Sequence, residues 1–209
     1  MKPVALALVF GLIAAPGKII NFDSDAIGQI PPGWTAVGVD GGAAAGWEVR
    51  RDRSAATQPY VLACVPANPA ADQPALAIFN SVNTRDGDVS VRVKPMTGSR
   101  ARSGGVVFRY RDANNYYVAQ ADATAQNITL FKIQNGRRIQ MGQAARHALP
   151  ANDWRILKVS ARGNHIQVYL DHRRILDAFD SDRTVSGKVG LLSGGDSVTY
   201  FDDFRVYPK

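Results

Sequence analysis

The chain is poor in the residues that usually advertise chemistry. Its one cysteine, Cys64, excludes an intramolecular disulfide, so stability has to come from a packed core. Val61, Leu62, Ala63 and Val65 around it mark the thiol as buried. Nothing close in sequence supplies the base or helix start that would activate it as a nucleophile. Histidine is scarce as well: His147, His165 and His172 fall in loops or strand ends without metal-ligand spacing, and no Ser-His-Asp arrangement follows from their order. Sustained helical periodicity is missing throughout, which argues against bundles and α/β folds.

What replaces it is a succession of short segments with period-two alternation, separated by Gly, Asn, Asp and Pro. Val89, Val91 and Val93 alternate with Ser90, Arg92 and Lys94. Leu157, Val159 and Ala161 alternate with Lys158, Ser160 and Arg162, and Ile166, Val168 and Leu170 with Gln167 and Tyr169. Each reads as a strand with one face in a core and one face outside. Asn135-Gly136, Gly163-Asn164 and Asp171-His172 supply the residues that tight hairpin turns need, so neighbouring strands are mostly antiparallel. The stretches from 38 to 46 and from 66 to 74 read as surface loops.

The opening MKPVALALVFGLIAAPG places a lysine before an apolar run that ends in small residues, as a secretory signal peptide does. It is short for a transmembrane helix, and an uncleaved anchor is the alternative. The expectation is residues 1–17 as a signal segment, 18–209 as a single domain, a periplasmic or extracellular location, and no stable membrane insertion after cleavage. The formal charge of +7 is spread in pairs such as Arg50-Arg51, Arg137-Arg138 and Arg173-Arg174. A dispersed basic surface can attract anionic polymers at long range. An exported chain without a recognition motif is not expected to bind nucleic acid.

The segment GGVVFRYRDANNYYVAQAD, residues 104 to 122, is the most informative hairpin. With Asp112 to Asn115 as its loop, Arg111 pairs with Tyr116, Tyr110 with Tyr117, and Arg109 with Val118. Residues directly opposite share a face. One face then holds Val106, Phe108, Tyr110, Tyr117, Ala119 and Ala121 and belongs to the core. The other holds Val107, Arg109, Arg111, Tyr116, Val118 and Gln120. Two further hairpins add Thr129, Phe131, Ile133, Arg138 and Gln140 to this mixed face. A floor of arginines, amides and aromatics is suited to sugars, whose C–H faces stack on rings while Arg and Gln satisfy hydroxyls. The candidate ligand residues are Arg109, Arg111, Tyr116, Gln120 and Arg138. The plainer reading is an exposed sheet covered by arginine stems.

Four stretches together, FDSDAIGQIPPGWT, GGVVFRYRDANNYYVAQAD, WRILKVSARGNHIQVYLD and GKVGLLSGGDSVTYFDDFRV, resemble the concanavalin A-like lectin/glucanase jelly rolls. Among these the chain looks closest to the 3-keto-disaccharide hydrolase type of domain, over about residues 21 to 207. The resemblance implies an all-β fold, a two-sheet antiparallel jelly-roll β-sandwich. It also implies a hydrolase or lyase acting on an oxidised (3-keto) disaccharide or related glycoside, with Arg109 orienting the substrate. Gly105 and Phe108-Arg109 match the family pattern. Ser103 and Gly104 replace its Asn-Ser, and Val118 stands where a glutamate would follow Tyr117. The Arg/Glu couple has therefore lost its acid. No Glu-x-Asp-x-x-Glu pattern compensates, since Glu48 is the chain's one glutamate. Asp86 and Asp88 read as a turn.

Jelly rolls of this class bring their terminal strands together, which would gather Asp23 and Asp25 with Asp202 and Asp203 and could hold a structural Ca²⁺; solvated or turn-capping aspartates are the alternative. The sequence thus points first to an exported lectin-like module that binds a glycan or cell-envelope polysaccharide without strong catalysis. A glycoside hydrolase or lyase is the alternative.

Overall fold

The structure is a computed structural model that describes residues 16–38, 46–66, 73–145, 150–182 and 185–209. In chain order the strands are β1 (Lys18–Ile20), β2 (Trp34–Gly38), β3 (Gly46–Arg51), β4 (Tyr60–Val65) and β5 (Ala75–Thr84). There follow β6 (Gly87–Thr97), β7 (Ser103–Asp112), β8 (Asn115–Asp122), β9 (Asn127–Gln134) and β10 (Arg137–Ala145). The last five are β11 (Arg155–Arg162), β12 (His165–Leu170), β13 (Arg173–Phe179), β14 (Gly187–Ser193) and β15 (Val198–Pro208). Among the described residues no helix is long and apolar enough to cross a membrane.

Two antiparallel sheets form the jelly-roll sandwich. Sheet 1 runs β13-β12-β11-β6-β15-β4-β3, with β1 also on β15. Sheet 2 runs β10-β9-β8-β7-β14-β5-β2. The alternation read from the sequence points Val89, Val91, Val93, Leu157, Val159, Ile166 and Val168 into the core between them. Removing such side chains from water contributes roughly 1.5–3 kcal/mol each. At one end Trp34 packs against Phe22, Phe79 and Phe204 with ring centroids 4.9–5.9 Å apart. Cys64 lies in the same core, where burial pushes its thiol up to about 12. It is inert, as its neighbours indicated.

The turns at Asn135-Gly136, Gly163-Asn164 and Asp171-His172 join β9–β10, β11–β12 and β12–β13. Asn135, Gly136, Gly163, Asp171 and His172 all take positive φ. Residues 39–45 of the expected loop from 38 to 46, most of that from 66 to 74, His147 and the first fifteen residues of the expected signal segment lie outside the described residues, and Gly38 and Gly46 end β2 and begin β3.

The β7–β8 hairpin departs from the expected pairing. Asp112 does pair with Asn115, but beyond it Phe108 faces Tyr117 and Val107 faces Val118. Two extra residues are accommodated in β7, and Arg109 takes a left-handed φ of 50°. This bulge breaks the alternation. Phe108 and Arg109 both end up inside, while Tyr110 turns outward and packs 6.0 Å from the Tyr116 ring. Because the slip is by two residues, Val107, Val118 and Gln120 keep their expected face. Gly187 on the neighbouring strand makes the bulge possible: a Cβ there would lie 2.4 Å from the Arg109 carbonyl carbon.

Candidate functional site: the outer face of sheet 2

The outer face of sheet 2 carries its own apolar layer. Leu76, Ile78, Val107, Tyr116, Val118, Ile133 and Leu192 are buried there, with Val37, Tyr110 and Phe131 partly buried against them. Register explains the grouping. One rung across the strands holds Tyr116, Ile133 and Arg138; the next holds Val107, Val118, Phe131 and Gln140; the third holds Gly105, Gln120, Thr129 and Gln143.

A cavity of about 410 Å³ opens on this layer, lined by Tyr116, Val118, Gln120, Ile133, Arg138 and Leu192 on its floor. Its walls come from the hairpin tip (Ala113, Asn114), from Gln73-Pro74, and from Gly194-Gly195 with Ala101. The volume falls in the range of small-ligand sites, roughly 300–1,000 Å³.

Arg138 organises the polar part. It leans from its own rung to place its guanidinium 3.6 Å from the centroid of the Phe131 ring, and its Nη2 donates to Gln120 Oε1 at 2.8 Å. Gln120 Nε2 in turn donates to Ser103 Oγ at 2.9 Å. The amide is thereby held with its oxygen toward the arginine. Burial pulls the Arg138 pKa below its usual value, against the pull of Tyr116 and Asp122, though an arginine stays charged. Of its five N–H donors, the one given to Gln120 is the only one taken by a described residue. Asp122 is the only carboxylate lining the cavity among the described residues, and its Oδ1 accepts the amides of Thr124 and Ala125.

The wall at Gly194-Gly195 is fixed by Asp196. Its carboxylate accepts the Ser99 amide and hydroxyl and the amides of Arg100 and Ala101. These bonds, the Ser99 hydroxyl first, hold its pKa far below the usual carboxylate range. Gly194 itself must lack a side chain, because a Cβ would sit 2.2 Å from Ser103 Oγ and 3.0 Å from Gln120 Nε2.

Of the five ligand residues expected from sequence, Tyr116, Gln120 and Arg138 come together at the cavity. Tyr116 is only 3 % exposed, so it is part of a packed floor and not an open stacking platform. Arg111 is exposed and lines no described cavity. Arg109 is a correction. The bulge turns it between the sheets, 2 % exposed, where Nε donates to the Arg85 carbonyl at 2.8 Å and Nη2 to the Gly163 carbonyl at 2.6 Å. Asp86 pairs with it at 3.4 Å, and it lies over the Tyr117 ring. Its strand neighbour is not Val118, so the comparison with a missing glutamate partner does not apply. Nearby, Tyr117 donates to Asp180 and Lys132 pairs with Asp180 and Asp182. Burial, then the bond to Asp180, pushes the Tyr117 hydroxyl up to about 12, which makes it a poor acid or nucleophile.

Three of the four aspartates expected to hold calcium bond other parts of the chain. Asp202 accepts the Thr57 amide and hydroxyl at 2.9 and 3.0 Å, and Asp203 pairs with Arg92 and Arg205. Asp23 accepts the Tyr60 amide. Among the described residues no group of three His, Cys, Asp or Glu side chains is placed to hold a metal.

Sequence reasoning missed Asp122, Leu192 and Gln143. Asp122 ends β8 two residues past Gln120, so the alternation of Tyr116, Val118 and Gln120 was the signal that could have found it; Leu192 comes from β14, whose alignment with the hairpin only the register defines. Gln143 faces outward because a bulge between Gln140 and Gly142 shifts β10 by one residue.

A levanase from Bacillus subtilis (strain 168) is 30% identical over 99 residues, which are 47% of this chain and 14% of the levanase, so the chain spans a small part of that relative. The carbohydrate binding module CBM66 from Bacillus subtilis superposes with a TM-score of 0.63 at 24% identity, over 83% of this chain and 94% of the module. A Bacillus licheniformis beta-glucanase gives 0.59 at 12% identity, over 88% and 96%. These two are likenesses of fold. Residues 33–207 match the model of the 3-keto-alpha-glucoside-1,2-lyase-like domain, and the chain belongs to that family.

Proposed function

We propose that this protein is an exported glycan-binding β-sandwich whose ligand rests on the outer face of sheet 2. The observation that carries the reading is the cavity floored by Tyr116, Val118, Ile133 and Leu192 with the Arg138–Gln120 pair at its edge. An apolar floor accepts the C–H face of a sugar, and a guanidinium that gives one donor to a described residue, beside an oriented amide, can donate to its hydroxyl oxygens. The likeness of fold to a carbohydrate binding module and the partial match to a levanase favour the same class of ligand. Export rests on the N-terminal segment, and the natural ligand would then be an extracellular or cell-envelope polysaccharide.

Binding is favoured over turnover because glycoside cleavage generally needs two carboxylates flanking the bond, and Asp122 stands alone among the described lining residues. The second reading is a lyase or hydrolase acting on a 3-keto-glycoside. Its support is the family match over residues 33–207.

A glycan array on the full chain, with and without calcium, and with levan among the polymers, tests both. Retained sugars are then incubated with the protein and analysed by mass spectrometry. Binding without products, lost at least tenfold in Arg138→Ala and Gln120→Ala, is the expected result. Products would transfer the site to the enzymatic reading, and retention unchanged by both substitutions would remove the floor as the binding surface.

A further inference from the structure

Beyond the Arg138 ridge lies a second trough of about 250 Å³, lined by Gln120, Asp122, Ala125, Asn127, Thr129, Phe131, Arg138, Gln140 and Gln143. Three of these residues, Gln120, Asp122 and Arg138, also line the first cavity. The two hollows therefore adjoin along one ridge. At this volume the trough falls below the usual range for a stand-alone ligand site, roughly 300–1,000 Å³. It makes sense as an extension of the larger cavity.

Its chemistry differs from that of the first cavity. Thr129 and Gln143 share a rung, and Gln140 pairs with Phe131 on the next. The β10 bulge brings Gln143 onto the same face as Gln140. Neither glutamine has a side-chain hydrogen bond to another described residue, although both sit beside side chains that do. Carboxamides carry both donors and acceptors, as sugar hydroxyls do, and no net charge. A row of them matches a neutral polyhydroxylated chain better than an anion. Arg138, which faces both hollows, is placed to bond the groups on either side of a link between two units.

We propose that sheet 2 binds a neutral oligosaccharide across at least two contiguous subsites, one unit in the cavity on Tyr116, Val118 and Leu192 and the next over Thr129, Gln140 and Gln143. This rests on the glycan-binding reading and adds direction and minimum length to it. The ligand crosses strands β8, β9 and β10 instead of inserting a single terminal unit.

The test is calorimetric titration of the full chain with levan-derived and cellulose-derived oligosaccharides of one to four units. The expected result is that, in the series that binds, affinity rises about tenfold or more from one unit to two. In the Gln140→Ala/Gln143→Ala double variant, that gain is lost while affinity for the single unit is unchanged. Both glutamines are on the surface, and an unchanged melting temperature would certify the fold of the variant. Equal affinity for one and for four units would overturn the second subsite and leave the first intact. A length-dependent gain that survives the double substitution would also overturn this assignment. Absence of binding by every member of both series, together with a blank array, would bring down the glycan reading and this inference with it.

Discussion

The two outer faces of the sandwich are built from similar alternating strands, yet they resolve their polar groups in opposite ways. On sheet 1 three carboxylates serve several donors each. Asp88 receives Ser160, Arg162 and Lys158; Asp203 receives Arg92 and Arg205; Asp177 receives His165, Gln167 and Arg174. Even Lys94 is buried there, held by Asp52 and Ser54 and lying near the Trp154 and Tyr200 rings. On sheet 2 the outward layer is apolar, and its arginine ridge spends one donor on a described residue. A face that satisfies itself has little left to offer a ligand. A face with a cavity, a ring-backed guanidinium and idle amides has polar capacity in reserve.

Changes on the ionic side are accordingly expected to alter stability, and changes on the other to alter binding. The largest expected effect is that of acid. Burial alone would raise Asp52, Asp86, Asp88 and Asp180. Hydrogen bonds and cations outweigh it: from Lys94, from the Gly163 amide and Arg85, from Lys158, and from Tyr117 with Lys132, respectively. All four are thus held below the ordinary 3.8. A carboxyl whose folded pKa is depressed stabilises the fold above its unfolded value, and that contribution is lost as pH falls through the folded value. Asp25 and Asp202, raised by burial, offset part of this. The urea midpoint should therefore be clearly lower at about pH 3 than at about pH 7. An unchanged midpoint would mean that these pairs contribute nothing to the fold.

Next in size is Arg109→Met. It removes a buried cation whose donors serve the Arg85 and Gly163 carbonyls, at a cost of roughly 3 kcal/mol in urea unfolding. Glycan affinity of the folded fraction should be unmoved, because the side chain faces away from the floor. Lost affinity in a variant of normal stability would return Arg109 to the site.

Asp196→Ala should cost about 1–2 kcal/mol by stripping the Ser99, Arg100 and Ala101 amides of their acceptor. It should also weaken glycan binding several-fold, since Ala101, Gly194 and Gly195 wall the cavity. This variant joins the two observables, and full affinity at reduced stability would show the wall to be irrelevant. Smallest of all is Lys158→Ala, on the paired face. Its partner Asp88 keeps Arg162 and Ser160, so a change within about 0.5 kcal/mol and no change in binding are expected.

Much of the architecture was legible because period-two alternation is a local property. Val89, Val91 and Val93 point inward for the same reason in the chain and in the fold, and Asn135-Gly136 turns because both residues tolerate positive φ. The floor was legible to the same extent: Tyr116, Gln120 and Arg138 share a face wherever alternation persists. It failed where alternation failed. The bulge at Arg109 exists because β14 passes against it at Gly187, a contact between residues 78 positions apart in the chain. The pairing of Asp203 with Arg92 depends likewise on β15 lying beside β6.

The sequence by itself determined that this chain is an all-β sandwich of short alternating strands joined by tight turns, since those preferences are written residue by residue. Only the tertiary structure decided which polar side is neutralised by its own ion pairs and which holds a cavity. That outcome depends on which strands become neighbours and in what register, and no local preference specifies either.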